Sequence, residues 1–237
     1  MNIFKINIKA FVYLVLSFIV MTAIGTVTHE LGHYFVAKSL GRDATINYKS
    51  VSLQNDSLFM YFNDTFHTYS YEIKNKLDFP GKDKYLNTIK KFQKENFWIT
   101  LGGPLQTILT GTIGFVALLC NRKKYIKVDR ITTFGWILIF ISLFWLRQTA
   151  NLCMSIFSYL LKGRVPHNGD ETKLALYLNL NIWSIEVITA LLGVIVLLII
   201  LKIIPKKLLV TFILAGFVGG VLGFYLWLVK FGQYIMP

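Results

Sequence analysis

Along most of this chain apolar residues do not alternate with polar ones, as they would on a half-buried helix or strand, but run on without charge. Residues 10–27 and 97–119 contain no Asp, Glu, Lys or Arg, and residues 131–161, 182–204 and 208–230 hold only isolated ones. A spanning helix needs about 20 mostly apolar residues, so five segments qualify. The first is expected over about residues 8–40, closing at Gly41 as a C-cap glycine. The third, at about 1.5 Å per residue, is longer than a hydrocarbon layer of about 30 Å and is expected to tilt, kink or emerge. Pro205-Lys206-Lys207 divides the fourth from the fifth, and residues 121–130 form a short basic loop after the second.

The pattern changes between Arg42 and Glu95, where Asn, Asp, Lys, Ser and aromatics take over. Residues 46–51 alternate as a strand does, Asn55-Asp56 reads as a turn, residues 58–62 as the returning strand and Asn63-Asp64 as a second turn. This predicts a small amphipathic sheet at the membrane surface, followed over residues 74–95, past the Pro80-Gly81 breaker, by a linker with a basic helix. The expected fold is mainly α: a polytopic membrane protein with about five transmembrane helices and a small membrane-surface β-sheet between the first and second. Residues 1–237 make a single membrane domain with 42–95 as its surface insertion, and there is no internal repeat.

Composition agrees. Of 237 residues 54% are hydrophobic and 15% aromatic, and the mean hydropathy of +0.54 is far above that of a soluble domain of this size. The net charge of +13 could suggest nucleic acid, but the Lys and Arg lie mainly between the apolar runs, where phospholipid head groups explain them. The bilayer is therefore an expected partner and nucleic acid is not. The cations are shared too evenly between the two sides to set the orientation. Lys5 and Lys9 before the first run imitate a signal peptide, but no small-residue cleavage pattern follows and the segment is expected to be retained. Cys120 and Cys153 lack the spacing of a disulfide framework or a zinc site and read as small core hydrophobes.

The chemistry lies at the end of the first apolar run. His29-Glu30-Leu31-Gly32-His33 puts two imidazoles one helical turn apart on one face, where they can share a metal ion, with a carboxylate beside them. Zinc accepts neutral imidazole nitrogens and, with a position left open, lowers the pKa of water to about 7. Glu30 would then take a proton from that water as it attacks a peptide carbonyl and pass it to the leaving amine. The rival reading is a pair of satisfied histidines at a helix end. Position favours the metal, because ionisable groups in a membrane segment are costly and mark functional sites.

The wider stretch His29 to Gly41 resembles the site-2 protease family of intramembrane zinc metalloproteases, in which the motif is followed by an aromatic, an Ala, a basic residue and a Gly. Here these are Tyr34, Ala37, Lys38 and Gly41. The family's Gly-Pro pair opening a later span appears as Gly103-Pro104, and its small sheet after the first catalytic helix matches the reading of residues 46–62. The likeness touches residues 22–114 and a later loop; the last two helices match nothing. Thr107 stands where the family has Asn, and the family's Asp-Gly ligand motif is met by Asn168-Gly169-Asp170-Glu171, with the order reversed.

The resemblance implies an Asp as third zinc ligand beside His29 and His33, and Asp170 is the choice. A hard carboxylate completes a site of two histidines and one carboxylate, and Asp170 stands at a membrane boundary. Glu171 and His167 are the alternatives, as is a solvated acidic loop capping the next helix. His67 reads as a surface residue. Arg147, Gln148 and Asn151 form a polar cluster, with Arg147 and Asn151 at i and i+4. They could orient a ligand or stabilise an oxyanion; alternatively Arg147 snorkels to the interface beyond Trp136 and Trp145.

The expected function is that of a hydrolase: a zinc-dependent intramembrane endopeptidase acting on a membrane protein or peptide, located as a multi-pass protein in a bacterial cell membrane. The substrate helix would be unwound and its strand paired with the sheet edge. A membrane-anchored metalloprotease cutting exposed chains, a non-catalytic membrane scaffold, and a transporter with a His/Asp proton relay are the alternatives.

Overall fold

A computed structural model describes residues 6–53, 57–128, 130–164 and 169–237. Backbone amides in a lipid layer must bond within their own segment, which is why long apolar runs become helices. Helix α1 covers Ile8–Ser39, capped by the Asn7 side chain, and ends before Gly41, whose φ of 74° is the left-handed conformation expected of a C-terminal glycine. A two-stranded antiparallel sheet follows, β1 (Ala44–Ile46) and β2 (Val51–Leu53), then two short helices, α2 (Ser57–Thr68) and α3 (Ser70–Lys74). Helix α4 runs over Lys82–Val128, and α5 (Thr133–Ser142) joins α6 (Leu146–Lys162) through a 3₁₀ turn at Leu143–Trp145. Short α7 (Asp170–Tyr177) precedes α8 (Ser184–Ile203) and α9 (Lys206–Phe224), with a π-helical stretch (Tyr225–Phe231) and α10 (Gly232–Ile235) at the end.

Among the described residues five helices are long and apolar enough to cross a membrane: Ile8–Ser39, Lys82–Ile126, Thr133–Lys162, Ser184–Ile203 and Lys206–Ile235. Helix α1 lies between α9 and α4, α4 also meets α5, and α6 packs on α8. The shared core includes Leu14, Leu118, Ile139, Ile200, Phe212 and Ala215. On the outside, Val12, Leu16, Val20 and Ile24 make an exposed stripe along α1, the kind of face that lipid covers.

Several expectations change. The alternating run 46–51 is not one strand but a hairpin, because the Asn47 side chain accepts from the amides of Lys49 and Ser50 (3.1 and 3.0 Å) and turns the chain. Residues 58–62, read as the returning strand, lie in α2, as does the expected turn at Asn63-Asp64. Phe62 there stacks on Tyr85 of α4, ring centroids 5.6 Å apart. The expected linker helix, the second span and the basic loop as far as Val128 are one helix of 47 residues, about 70 Å at 1.5 Å per residue, which extends beyond any bilayer. The long third span is interrupted by its 3₁₀ turn at Leu143–Trp145. Cys120 and Cys153 are exposed rather than core. The turn expected at Asn55-Asp56 and the candidate His167 lie outside the described residues.

The hairpin is fixed over the end of α1. The Trp227 indole donates to the Tyr48 carbonyl at 2.9 Å, and the Tyr48 amide donates to the Met236 carbonyl at 3.0 Å. On the other side Arg42 donates to Glu95 of α4 at 2.5 Å, both side chains largely buried.

Candidate metal centre

Two glycines bring α1 and α4 into contact at the level of the motif. A Cβ at Gly32 would collide with the Gly102 carbonyl oxygen, and one at Gly102 would lie 2.5 Å from the Gly32 oxygen. Backbones approach this closely only where side chains are absent. The crossing presses the buried face of α1, with His29 1%, Glu30 5% and His33 8% exposed, against the α4 turn that holds Gly103 and Pro104. A Cβ at Gly103 would run into His33 Nε2 and lie 2.6 Å from His29 Nε2, so this glycine keeps clear the space in front of both rings.

Each imidazole is anchored through its outer nitrogen. The Thr107 hydroxyl donates to the Gly103 carbonyl at 3.1 Å, which spends its hydrogen, so it accepts from His29 Nδ1–H at 2.9 Å. His33 Nδ1 is 2.6 Å from the Ile99 carbonyl, which can only accept, and this assigns the proton to Nδ1 there too. The Gly103 amide, 3.3 Å from the same nitrogen, is then in contact with it but not bonded to it.

Both Nε2 atoms therefore present lone pairs inward. Helix α7 completes the set: Asp170 Oδ2 lies 3.0 Å from His29 Nε2 and 3.2 Å from His33 Nε2, and the two nitrogens are 3.3 Å apart. Three acceptor atoms so close repel one another unless a cation sits among them. A proton can bridge one pair, whereas a metal ion can bind all three. Zinc bonds of about 2.0–2.1 Å in tetrahedral geometry put ligand atoms about 3.3 Å apart, so the donors present suit that ion in kind and spacing.

Glu30, with His29 and His33, offers ligand atoms that all lie within 4.8 Å of one another. Arg147 of α6 faces it, its guanidinium 3.9 Å from Glu30 Oε1, an ion pair too long for a hydrogen bond. Arg147 thus lies in the site and does not snorkel to the interface. Glu171 turns away from the imidazoles: Asn151 Nδ2 is 3.3 Å from each of its carboxylate oxygens, and burial first, then neighbouring Asp170, raises its pKa. Gln148 is fully buried with neither amide atom bonded, and His67 is exposed in the last turn of α2. Over Glu30, His33 and Asp170 opens a cavity of about 390 Å³, walled also by Lys49, Ser50 and Val51 of the hairpin, Ile99, Thr100, Arg147, Asn151, Gly169 and Lys173.

Of the residues expected from sequence, the structure brings together His29, Glu30, His33, Asp170 and Arg147, with Asn151 on the same wall. Thr107, noted only for standing where the resembled family has Asn, is the partner of His29. The Ile99 carbonyl had no signal, since any residue supplies one. No family model, no curated protein and no solved structure matches the chain.

Proposed function

We propose that this chain is a zinc-dependent endopeptidase of the membrane, cleaving a peptide bond in or near a transmembrane segment of a protein or peptide substrate. The observation that carries the reading is the convergence of His29 Nε2, His33 Nε2 and Asp170 Oδ2 within 3.0–3.3 Å of one another beside a buried glutamate. Zinc, when bound, supplies a Lewis acid that brings the pKa of water near neutrality. His29, His33 and Asp170 would hold it, with Thr107 and Ile99 fixing the two rings. Glu30 removes a proton from the water that adds to the peptide carbonyl carbon. When the C–N bond breaks, Glu30 returns that proton to the leaving amine. Arg147, facing Glu30, offers N–H donors to the carbonyl oxygen as it gains negative charge.

One observation favours a second reading, a membrane-anchored protease that cuts exposed chains. His29 lies about 32 Å along α1 from Ile8, at 1.5 Å per residue, which is close to the full depth of a hydrocarbon layer. The cavity rim also carries the exposed Lys49 and Lys173.

The test is a panel of single-span substrates, each also made as a soluble chain lacking its span, incubated with zinc-loaded protein in lipid discs and read by mass spectrometry. Cleavage by the wild type and none by Glu30→Gln, with zinc retained, is expected. Substrates left intact by zinc-loaded wild type, or cleavage by Glu30→Gln at the wild-type rate, would overturn the reading. Cleavage of the soluble chains alone would select the second.

A further inference from the structure

The cavity over Glu30 is basic beyond what the metal centre needs. Lys49 from the hairpin turn, Arg147 from α6 and Lys173 from α7 reach it from three separate elements. Its two carboxylates are already engaged: Asp170 on the imidazoles, and Glu30 in the proton transfer proposed above. Neither makes a contact ion pair with Lys49 or Lys173 among the described residues. The Lys173 side chain makes no ion pair or hydrogen bond among the described residues, and the Lys49 ammonium lies over the ring of Tyr48, 5.0 Å from its centroid. Arg147 meets Glu30 only at 3.9 Å, and its Nε is buried without a partner. A bound zinc ion would add two more positive charges.

At about 390 Å³ the cavity is in the range of ligand pockets, roughly 300–1,000 Å³. A peptide placed for attack beside Glu30 must pass between the triad and the hairpin, so whatever flanks its cleaved bond meets these cations. Clefts walled in low-dielectric material focus such a field, attracting an anion and rejecting a cation.

We infer that this cavity binds a carboxylate of the substrate, either an acidic side chain beside the cleaved bond or the terminal carboxylate of the chain. The inference rests on the peptidase reading for the placement of the peptide, but it makes a binding claim that is read without turnover. An acidic substrate puts its carboxylate between Lys49 and Lys173, with Arg147 beneath. A lysine at the same place is repelled, which gives the enzyme a sequence preference that the metal centre alone would not have.

The test uses zinc-loaded Glu30→Gln protein in discs of zwitterionic lipid and fluorescence anisotropy of three labelled peptides. One carries glutamate, placed in turn at each position around the target bond, and an amidated end. One has glutamine there and a free C-terminal carboxylate, and the third has glutamine and an amidated end. One of the two carboxylate peptides is expected to bind about tenfold tighter than the neutral one, and which of them does so identifies the source of the carboxylate. The double variant Lys49→Glu, Lys173→Glu, both at exposed positions, should lose that gain while keeping its zinc. Equal affinity for all three peptides, or a gain that survives the charge reversals, would overturn the inference. If wild type cleaves the neutral peptide while all three bind alike, the peptidase reading stands and only the carboxylate site falls. If the acidic peptide is bound tenfold tighter and nothing is cleaved, the reverse holds.

Discussion

Asp170 and Glu171 are adjacent in sequence and opposite in role. Asp170 Oδ2 completes a triangle with two nitrogens, while Glu171 is held by Asn151. Asp170→Asn, nearly the same shape without the charge, should therefore lose stoichiometric zinc and all cleavage. Glu171→Gln should keep both, as zinc analysis and the substrate panel would show. Thr107 acts one layer out. Thr107→Val removes the acceptor that fixes the His29 ring and should weaken zinc binding about 10–100-fold, whereas Thr107→Ser should restore most of it, measured by competition with a chelator. The histidine pair and Glu30 were legible in the sequence because a spacing of four has one meaning on a helix. Asp170 is marked in the sequence only by its donor chemistry and by the resemblance. Thr107 and Ile99 serve residues 78 and 66 positions away, and nothing local marks that.

At the scale of elements, what sets the site is the α1–α4 crossing. Gly32→Leu would drive a side chain into the Gly102 backbone and should cost at least about 1–3 kcal/mol, lowering the melting temperature. Gly220→Ala, where an added Cβ meets nothing within 4 Å, is the matching control and should melt as wild type does. The spanning helices were legible because a membrane leaves the backbone no other form. The insertion was not. Residues 58–62 are apolar throughout, so two-residue and helical periods cannot be told apart there. Partners supplied by α4 favour a helix: Tyr85 and Phe92 against Phe59 and Phe62, and Lys84 over the ring of Tyr61. The hairpin is hidden in the sequence for a related reason: the Asn47 side chain bends a run whose alternation looks continuous.

Across the whole molecule, the proposed ligands tie the first helix to α7, 141 and 137 residues later. A metal held by both ends binds the folded chain and not the unfolded one, so stability should follow metal concentration. Chelation should lower the melting temperature of the wild type, with zinc restoring it, and should leave Asp170→Asn unmoved. The number of spans was legible from apolar run lengths. Their orientation was not, because Lys and Arg are divided between the two sides. Whether three side-chain atoms share one zinc ion is tested directly by X-ray absorption at the zinc edge of the purified protein. The spectrum should give one zinc per chain with two imidazole nitrogens and one carboxylate oxygen at about 2.0–2.2 Å, falling to one imidazole or to no zinc in His29→Ala. A wild-type protein without zinc when prepared in its presence, or one whose zinc shell keeps both imidazoles after His29→Ala, would contradict it.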